Sequence, residues 1–375
     1  MGALNNLVMK TLLISGIYRP EIGGPATYLP SLAQYLIHLN HSAEIITLKN
    51  RTSPEQKEPW IVNYVNRDQL ILIRFLKTVR LIFKKINTID VILANGLLQE
   101  TAVVISLIKK RSIAKVVSDP VWERAFNNSE TSLGVVEFNT SKLRLKHKLQ
   151  RILLRWSLNR FDTITCPSAQ LKRIIENWGV YKPIEYIPNG VMLVNKKSTS
   201  TDFDLVTVCR LINLKNIDKI IKASSVANVS LAIVGSGSEE LKLRELARST
   251  NSRVTFFGQL DTNEVKNVLL RSKIYLNLSD HEGLSFSLLE AMSCGLPSIV
   301  SNIQGNTDII SNGLDGIVVN VNDENQLVNA INTLIDSPSK RLEYGRAARF
   351  KIESEYQQET QIGKVVNLLT TEIKK

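Results

Sequence analysis

Short runs of β-branched residues alternate with helix-length windows along most of this chain, and that alternation constrains the fold more than any other feature. In the first half, strand patterns occur at 11–16, 43–48, 90–95, 114–118 and 162–166. Parallel strands need a helix-length crossover between them, so this spacing predicts a doubly wound parallel sheet with helices on both faces.

The same pattern resumes after a polar stretch at 195–204 that carries turn residues and shows no periodicity. Six more strand patterns follow, at 205–210, 231–235, 253–258, 273–279, 297–301 and 316–320. Amphipathic helices are predicted at 323–337 and 339–373. A chain of 375 residues usually forms two domains. We therefore predict one α/β domain at 1–190 and a second at 191–375, whose last helix is a candidate to cross back to the first.

The net charge of +12 comes entirely from the first half. Residues 1–190 hold 26 Lys and Arg against 14 Asp and Glu, whereas residues 191–375 hold 21 of each. A local surplus of this kind attracts phospholipid head groups, nucleic acid or phosphorylated substrates. Aromatic residues make up only 6% of the chain and are sparse among the basic runs, which disfavours nucleic acid because single strands stack on aromatic rings.

Two cationic amphipathic segments, 74–85 and 141–160, lie within this basic half. Each would either lie on an anionic bilayer with its apolar side inserted, or face the core and expose a solvated basic side. The concentrated charge favours the bilayer. No apolar run reaches the ~20 residues of a membrane span, and no signal-peptide pattern opens the sequence. The three cysteines are far apart, without a CxxC pair. These features predict a cytoplasmic protein that binds the inner membrane surface peripherally.

The stretch SDHEGLSFSLLEAMSCGLPSIVS, at 279–301, is the richest in candidate functional residues. Ser285 is predicted to cap a helix that runs to about Cys294, where Gly295 ends it. Glu282 then lies in the loop before the helix, and Glu290 lies within it. The free N–H groups of Gly283, Leu284, Ser285 and Phe286 would favour an anion. Two acids with an anion site between them suit a nucleotide sugar. Alternatively, Glu290 lies on a solvated helix face, which its apolar neighbours disfavour.

Arg210 and Lys215 follow the first strand of the second half and flank the start of the next helix. Two cations at one sheet edge could neutralise a diphosphate without a metal, although either could be an ordinary surface charge. The nearby segment IVGSGSEEL lacks the third glycine of a dinucleotide fingerprint, and no acid ends the following strand. A nicotinamide site is therefore disfavoured, and Gly235 either permits a close approach of the backbone to the cavity or forms a tight strand-to-helix turn.

The first half offers weaker candidates. Gly23 and Gly24 precede a helix, either as a plain turn or as backbone that approaches phosphate or sugar closely. Asp119 and Glu123 follow a strand and could face an acceptor, and Trp122 could present a flat ring to a sugar. An Asp-Pro pair is also a common turn.

Taken in order, these motifs resemble those of GT-B glycosyltransferases, in particular the retaining family 4 enzymes of bacterial polysaccharide and lipopolysaccharide assembly. EGLSFSLLEAMSCGLPSIVS is similar to the family's E-x7-E motif, CRLINLKN to its G-R-L-x-x-x-K-G, and VGSGSEE to its V-G-x-G-x-E. IPNGV resembles its interdomain linker, and PEIGGPATY its amino-terminal glycine loop. The resemblance covers nearly the whole chain and implies two Rossmann-like domains facing across a cleft.

The resemblance also implies roles. Glu290 would bind the donor ribose, and Glu282 with the Gly283–Ser285 backbone would contact the transferred sugar and distal phosphate. Arg210 and Lys215 would stabilise the departing nucleoside diphosphate, which makes them catalytic candidates together with Glu282 and Asp119. The remaining donor-binding candidates are Gly23, Gly24, Gly235, Gly258, Gln259 and Leu260. Asp119, Trp122 and Glu123 form the acceptor-side set.

Three departures from the family pattern accompany these matches. Cys209 and Asn216 replace the usual glycines beside the Arg–Lys motif, which puts the backbone approach there in question. Ser118 and Asp119 stand where many members have His-Asp.

The donor is expected as a substrate, with no cofactor and no divalent metal, because no Asp-x-Asp ends a strand.

The predicted reaction transfers a sugar, with retention, to a glycan or a polyprenyl-diphosphate-linked acceptor. The diphosphate leaves first and the acceptor attacks from the same face, so catalysis is mainly preorganised electrostatics. A sugar-nucleotide epimerase or a phosphorylase remains the alternative within this fold.

Overall fold

The computed structural model describes residues 8–21, 24–50, 57–194 and 200–371. The chain divides into two compact units. The first comprises Met1–Pro188 together with Ile362–Lys375, and the second comprises Asn189–Gln361. The last helix therefore starts in the second unit and continues into the first.

The first unit is built on a parallel sheet of seven strands in the order β3-β2-β1-β4-β5-β6-β7. The strands are β1 Lys10–Ser15, β2 Ser42–Lys49, β3 Ile61–Asn66, β4 Val91–Asn95, β5 Arg111–Lys115, β6 Thr163–Cys166 and β7 Ile184–Tyr186. Every residue of β4 is buried, as is typical of a central strand covered on both faces.

Among the described residues of this unit, seven helices lie between these strands. They are α1 Gly24–His38, α2 Ile71–Lys85, α3 Leu98–Leu107, α4 Pro120–Asn127, α5 Val135–Thr140, α6 Leu145–Leu158 and α7 Ala169–Asn177, and a short 3-10 turn at Ile86–Thr88 follows α2. Asp119 caps α4, with Pro120 at the first helical position, and Ser168 caps α7. The boundaries of both helices thus follow from local sequence.

The second unit has a parallel sheet of six strands in the order β10-β9-β8-β11-β12-β13. The strands are β8 Phe203–Val208, β9 Leu231–Val234, β10 Val254–Gly258, β11 Ser272–Asn277, β12 Ser298–Ser301 and β13 Gly316–Val319. All six coincide with strand patterns read from the sequence.

The second unit's helices are α8 Ile217–Val226, α9 Glu240–Ser249, α10 Thr262–Leu270, α11 Phe286–Ser293, α12 Gln304–Thr307, α13 Glu324–Ile335 and α14 Pro338–Glu355, with a 3-10 turn at Asn213–Lys215. The final helix is α15 Gln358–Thr370. The prediction of one helix over 339–373 is wrong, because the helix is interrupted at Tyr356 and Gln357. Gln357 forms a parallel bridge with Val191 there.

The sequence patterns did not predict two strands of the first sheet. Both β3 and β7 lie at the edges of the sheet. Ile61 is 61% exposed and two of the three β7 residues are exposed, so neither strand carries the continuous apolar run that marks buried parallel strands.

Candidate active site

The strand order of the second sheet reverses between β8 and β11, which are neighbours. In open parallel sheets, ligands bind beyond the carboxyl ends of the strands at such a switch point. The loop after β8 carries Arg210 and Lys215, and the loop after β11 carries Glu282. Two segments that are about 70 residues apart in sequence are therefore adjacent.

Lys215 and Glu282 meet across this switch point. The Lys215 Nζ lies 2.5 Å from Glu282 Oε1, and each side chain is only 14% exposed. Ser279 Oγ donates to the same carboxylate oxygen at 2.8 Å, and Asn277 Nδ2 does so at 3.4 Å. Burial alone would raise the pKa of Glu282, but the ammonium and these donors hold it below its ordinary value. Glu282 is thus an anion at neutral pH.

Asn216 explains how the Lys215 turn closes without the usual glycine. Its φ of 50° and ψ of 39° place it in the left-handed region, where asparagine is tolerated better than most residues. Its Nδ2 donates to Leu278 O at 2.9 Å and to Asp280 Oδ1 at 2.8 Å. The side chain therefore also ties the loop after β8 to the loop after β11.

Gly235 brings a third loop into the same group. Its φ is +130°, and its N–H donates to Gly258 O at 2.7 Å. A Cβ at this position would lie 1.8 Å from the carbonyl oxygen of Cys209, so only glycine fits. Gly235 thus lets the loop after β9 pack closely against the loop that leads to Arg210.

The N-terminus of α11 has the form expected from sequence. Ser285 is the N-cap and accepts from Leu288 N at 3.4 Å, and Gly295 follows the helix with a φ of +76°. Within the part of the chain that the structure describes, the N–H groups of Gly283, Leu284 and Ser285 have no hydrogen-bond acceptor. Unpaired donors at a helix N-terminus favour a bound anion.

Glu290 lies in the second turn of α11 and is half-buried. No described residue donates a hydrogen bond to its carboxylate, and Lys266 is the cation that acts on it from nearby. Burial raises the pKa of Glu290 to about 7, against the smaller opposing effect of Lys266. A half-buried acid without a hydrogen-bond donor costs stability, which argues for a role beyond packing.

The other donor-side candidates are placed differently. The side chain of Arg210 is exposed and contacts no acid among the described residues. Gly258 ends β10 with a φ of +66°, Gln259 is exposed, and Leu260 is half-buried against the core. They belong to the loop after β10, two strands from the switch point on the β9 side.

Among the first-unit candidates, Gly24 begins α1, and Gly23 lies outside the described residues. Asp119 is fully buried and both of its oxygens are engaged. Oδ1 accepts from the N–H groups of Val121 and Trp122 at 2.9 and 3.2 Å. Oδ2 accepts from Asn139 Nδ2 at 2.8 Å and Arg151 Nη2 at 2.7 Å. This environment favours a structural role for Asp119 over the catalytic one.

Trp122 is 1% exposed, and its Nε1 donates to Leu133 O at 2.8 Å. The prediction that its ring stacks on a sugar is therefore wrong in this conformation, since no face is open to solvent. Glu123 is half-buried in the first turn of α4. The apolar spacing of α4 explains the burial of Trp122, because Val121, Trp122 and Ala125 form the inner side of that helix.

Sequence reasoning missed three residues that shape this site: Asn277, Ser279 and Gly305. Asn277 and Ser279 hold Glu282, as described above. A Cβ on Gly305 would lie 2.0 Å from the carbonyl oxygen of Glu282, so this glycine lets the loops after β11 and β12 approach closely. Polar residues at the end of an apolar strand were the available signal for Asn277.

No cluster of three or more His, Cys, Asp or Glu side chains suited to a metal ion occurs within residues 8–21, 24–50, 57–194 and 200–371. The metal-free expectation stays a prediction. Across the same ranges, every helix is too short or too polar to cross a bilayer.

Two doubly wound parallel-sheet units in one chain are the architecture of the GT-B class of α/β proteins. Solved structures share this fold. Sucrose-phosphate synthase from Thermosynechococcus elongatus matches with a TM-score of 0.78 and 20% identity, over 96% of this chain and 98% of that one. Anabaena HepE in complex with UDP and glucose matches with a TM-score of 0.76 and 16% identity, over 96% and 99%.

The chain belongs to the family 4 glycosyltransferases. Residues 22–194 match the model for Glycosyltransferase Family 4, and residues 194–351 match the model for Glycosyl transferases group 1. A curated relative is the GDP-mannose-dependent monoacylated alpha-(1-6)-phosphatidylinositol monomannoside mannosyltransferase of Corynebacterium glutamicum. It is 30% identical over 229 residues, which are 54% of this chain and 60% of that protein. This chain thus spans less than two thirds of that relative's length.

Proposed function

We propose that this protein is a retaining glycosyltransferase that moves a sugar from a nucleotide-sugar donor to a glycan or polyprenyl-diphosphate-linked acceptor in cell-surface polysaccharide assembly. The observation that carries the proposal is the arrangement after β11: an ionised Glu282, unpaired N–H groups at the start of α11, and an unsatisfied Glu290. Along one helix these offer an acceptor for sugar hydroxyls, donors for phosphate and an acceptor for ribose hydroxyls.

In this proposal, Lys215 and Arg210 stabilise the leaving diphosphate. Lys215 is already oriented by Glu282, so its charge is in place before the donor binds. Arg210 is exposed and unengaged, so it can turn to the phosphates as they arrive. The N–H groups before α11 add partial positive charge to the same anion.

The donor base and sugar are open within this proposal. The Corynebacterium relative uses GDP-mannose, whereas the HepE structure holds UDP and glucose. The loop after β10, with Gly258, Gln259 and Leu260, is proposed to lie beside the base. No divalent metal is proposed, because Lys215, Arg210 and the helix N-terminus supply the positive charge.

The first test is a thermal-shift and donor-hydrolysis screen against UDP-, GDP-, ADP- and dTDP-sugars. Glu290→Ala and Lys215→Ala should each lower donor turnover by at least about tenfold, since each removes a direct contact to the donor. Lys219→Ala is the matched control, because Lys219 lies four residues further on and contacts Asn322 at 2.8 Å. Unchanged donor binding and turnover in both site variants would refute the donor site.

Retention and transfer need separate measurements. The anomeric configuration of the first-formed product, read by NMR, should match that of the donor. Incubation with donor alone should give only slow hydrolysis. An epimerised nucleotide sugar under those conditions would instead support the epimerase alternative, and an inverted anomer would refute retention.

We further propose that the first unit binds an anionic membrane surface, where a lipid-linked acceptor would reside. Helix α6 exposes an apolar stripe at the spacing of one helix face: Leu145, Leu149, Ile152 and Leu153, each at least 50% exposed. The start of α2 exposes a second apolar group: Leu70, Ile71, Leu72 and Leu76, each at least 65% exposed. Helix α3 packs against both helices.

Basic residues flank the α6 stripe. Lys142, Arg144 and Lys148 are exposed, whereas Arg151 is buried against Asp119 and is unavailable to a membrane. A stripe of leucine and isoleucine bordered by cations suits the interface of an anionic bilayer. The surplus of positive charge in the first half acts in the same direction.

Sedimentation with vesicles of phosphatidylcholine and phosphatidylserine tests this. The protein should sediment at low salt and be released by high salt. Reversal of Lys142, Arg144 and Lys148 to glutamate should abolish sedimentation. Reversal of the exposed Lys222, Arg248 and Arg346 of the second unit is the control for net charge. Equal loss in both triple variants would refute a specific surface.

A further inference from the structure

Asn277 occupies the last position of β11, beside the switch point, and is 4% exposed. Its side chain makes hydrogen bonds on both ends. Oδ1 accepts from the N–H of Ser279 at 3.2 Å and lies 2.7 Å from Ser279 Oγ, whose single hydrogen is shared between this oxygen and Glu282 Oε1. Nδ2 donates to Ser285 Oγ at 3.1 Å and to Glu282 Oε1 at 3.4 Å.

The orientation of this amide follows from its partners. A backbone N–H can only donate, so the atom facing Ser279 N must be the oxygen, and Nδ2 must face Glu282 and Ser285. Ser285 is also the N-cap of α11 and lies 3.2 Å from Ser287 Oγ, which accepts from Tyr275 OH at 2.9 Å. One buried amide therefore joins Glu282 to the start of α11.

The donors around Glu282 converge on a single oxygen. Lys215, Ser279 and Asn277 all contact Oε1, and no described residue donates to Oε2. A carboxylate held in this way has one oxygen locked by protein and the other available to a substrate hydroxyl.

We propose that Asn277 is a positioning residue that fixes the Glu282 carboxylate relative to the α11 N-terminus, so that its second oxygen meets the sugar of the donor. The contact with a donor sugar rests on the proposed function. The positioning itself rests on the contacts of Asn277 alone.

Replacement by aspartate keeps the shape of Asn277 and exchanges the donor for an acid. Two carboxylates about 3.4 Å apart cannot both ionise without strong repulsion, so at low pH the pair shares one proton and mimics the native Asn–Glu contact. As the pH rises, that proton is lost and the carboxylates separate. The other titratable or charged groups that act on or face Glu282 are Lys215, His281, Cys209 and Tyr275.

A matched control exists in the first unit. Asn63 Nδ2 donates to Glu44 Oε1 at 2.7 Å, and Lys85 pairs with that same glutamate. Asn63→Asp therefore makes the same change beside a lysine-paired glutamate, away from the β8–β11 switch point.

The test has a readout that needs no substrate. With 13C-labelled glutamate carboxyls in the full chain, and Glu282→Gln to identify the signal, the Glu282 resonance should stay flat from pH 5.5 to 8.5 in the wild type and in Asn63→Asp. In Asn277→Asp it should titrate within that range. A flat Glu282 signal in Asn277→Asp would overturn the proposal.

Turnover provides the second readout. With the nucleotide sugar found in the screen, the ratio of Asn277→Asp to wild-type turnover should fall roughly tenfold or more between pH 6 and pH 8.5. Asn277→Ala should lower kcat while leaving UDP or GDP affinity within about twofold, because the proposed role of the Glu282 oxygen is to meet the sugar of the donor. Equal losses in kcat and nucleotide affinity would contradict a positioning role. Failure of the wild type to bind any nucleotide would refute the proposed function and leave the resonance test to decide the role of Asn277.

Discussion

Replacing Glu290 with glutamine should stabilise the second unit at alkaline pH and weaken donor binding at the same time. The wild-type carboxylate is half-buried, has no hydrogen-bond donor among the described residues, and has its pKa raised by burial to about 7 from an ordinary 4.5. Folding therefore favours the protonated acid, so the wild type loses stability as the pH rises from about 4.5, where the unfolded chain ionises, to about 7, where the folded protein ionises too. Glutamine is neutral at every pH and avoids that cost.

The size of the effect follows from the shift. A rise from 4.5 to about 7 is about 2.5 units, which corresponds to ~3 kcal/mol at 1.36 kcal/mol per unit. Partial exposure of the side chain reduces this to roughly 1–3 kcal/mol. For a unit of this size, each kcal/mol shifts the melting temperature by about 2–4 °C. Glu290→Gln should therefore melt roughly 2–12 °C above the wild type at pH 8.5.

Thermal denaturation of both proteins at pH 4.5, 6.5 and 8.5 is the assay. The stability difference should be small at pH 4.5, grow between pH 4.5 and 7 and level off above 7, because over that interval the unfolded wild type ionises at this position while the folded wild type keeps its proton. Added nucleotide should then raise the wild-type melting temperature more than that of the variant. A constant difference at all three pH values, or a less stable variant at pH 8.5, would refute the reasoning.

Three further outcomes are expected at other positions. Glu282→Gln should lower stability at pH 7 by roughly 1–3 kcal/mol in urea denaturation, the opposite sign to Glu290→Gln, because it leaves the Lys215 ammonium without its partner. Gly235→Ala should abolish nucleotide binding in a thermal-shift assay or prevent folding of the second unit, since its Cβ would overlap a backbone carbonyl; normal binding would contradict the close approach of those loops. Asp119→Ala should destabilise the protein by about 3 kcal/mol by leaving Arg151 buried and unpaired, and Asp119→Asn should retain turnover per folded molecule within a fewfold. A large turnover loss in a stable Asp119→Asn protein would restore the catalytic role predicted from sequence.

The sequence predicted the second unit better than the first, for a physical reason. Its six strands are short apolar runs bounded by turn residues, and each coincides with an observed strand. The edge strands β3 and β7 were not predicted, because one side of an edge strand is solvated and its polar residues interrupt the apolar run. The break between α14 and α15 escaped because it depends on the bridge between Gln357 and Val191, which are far apart in sequence.

For the site, residue type and spacing predicted which side chains matter but not how they pair. The sequence positions of Lys215 and Glu282 do not predict their 2.5 Å contact, because that contact depends on β8 and β11 being neighbours in the sheet. For Trp122 and Asp119 the error was the opposite one, because the sequence predicted ligand contacts for two side chains that the fold buries. Both lie after a strand, where ligands often bind, yet the inner side of α4 and the Arg151 side chain bury them.

The division of the chain sets an order for its synthesis and folding. The second unit is one continuous segment, Asn189–Gln361, whereas the first unit needs Ile362 and the residues beyond it. In the finished protein, Arg111 at the start of β5 donates to the carbonyl of Leu368 in α15. A ribosome that has made only the first 188 residues has therefore produced a unit that still lacks one of its helices. The first unit to begin folding is the last to be completed, and fragments cut at residue 188 will misrepresent its stability.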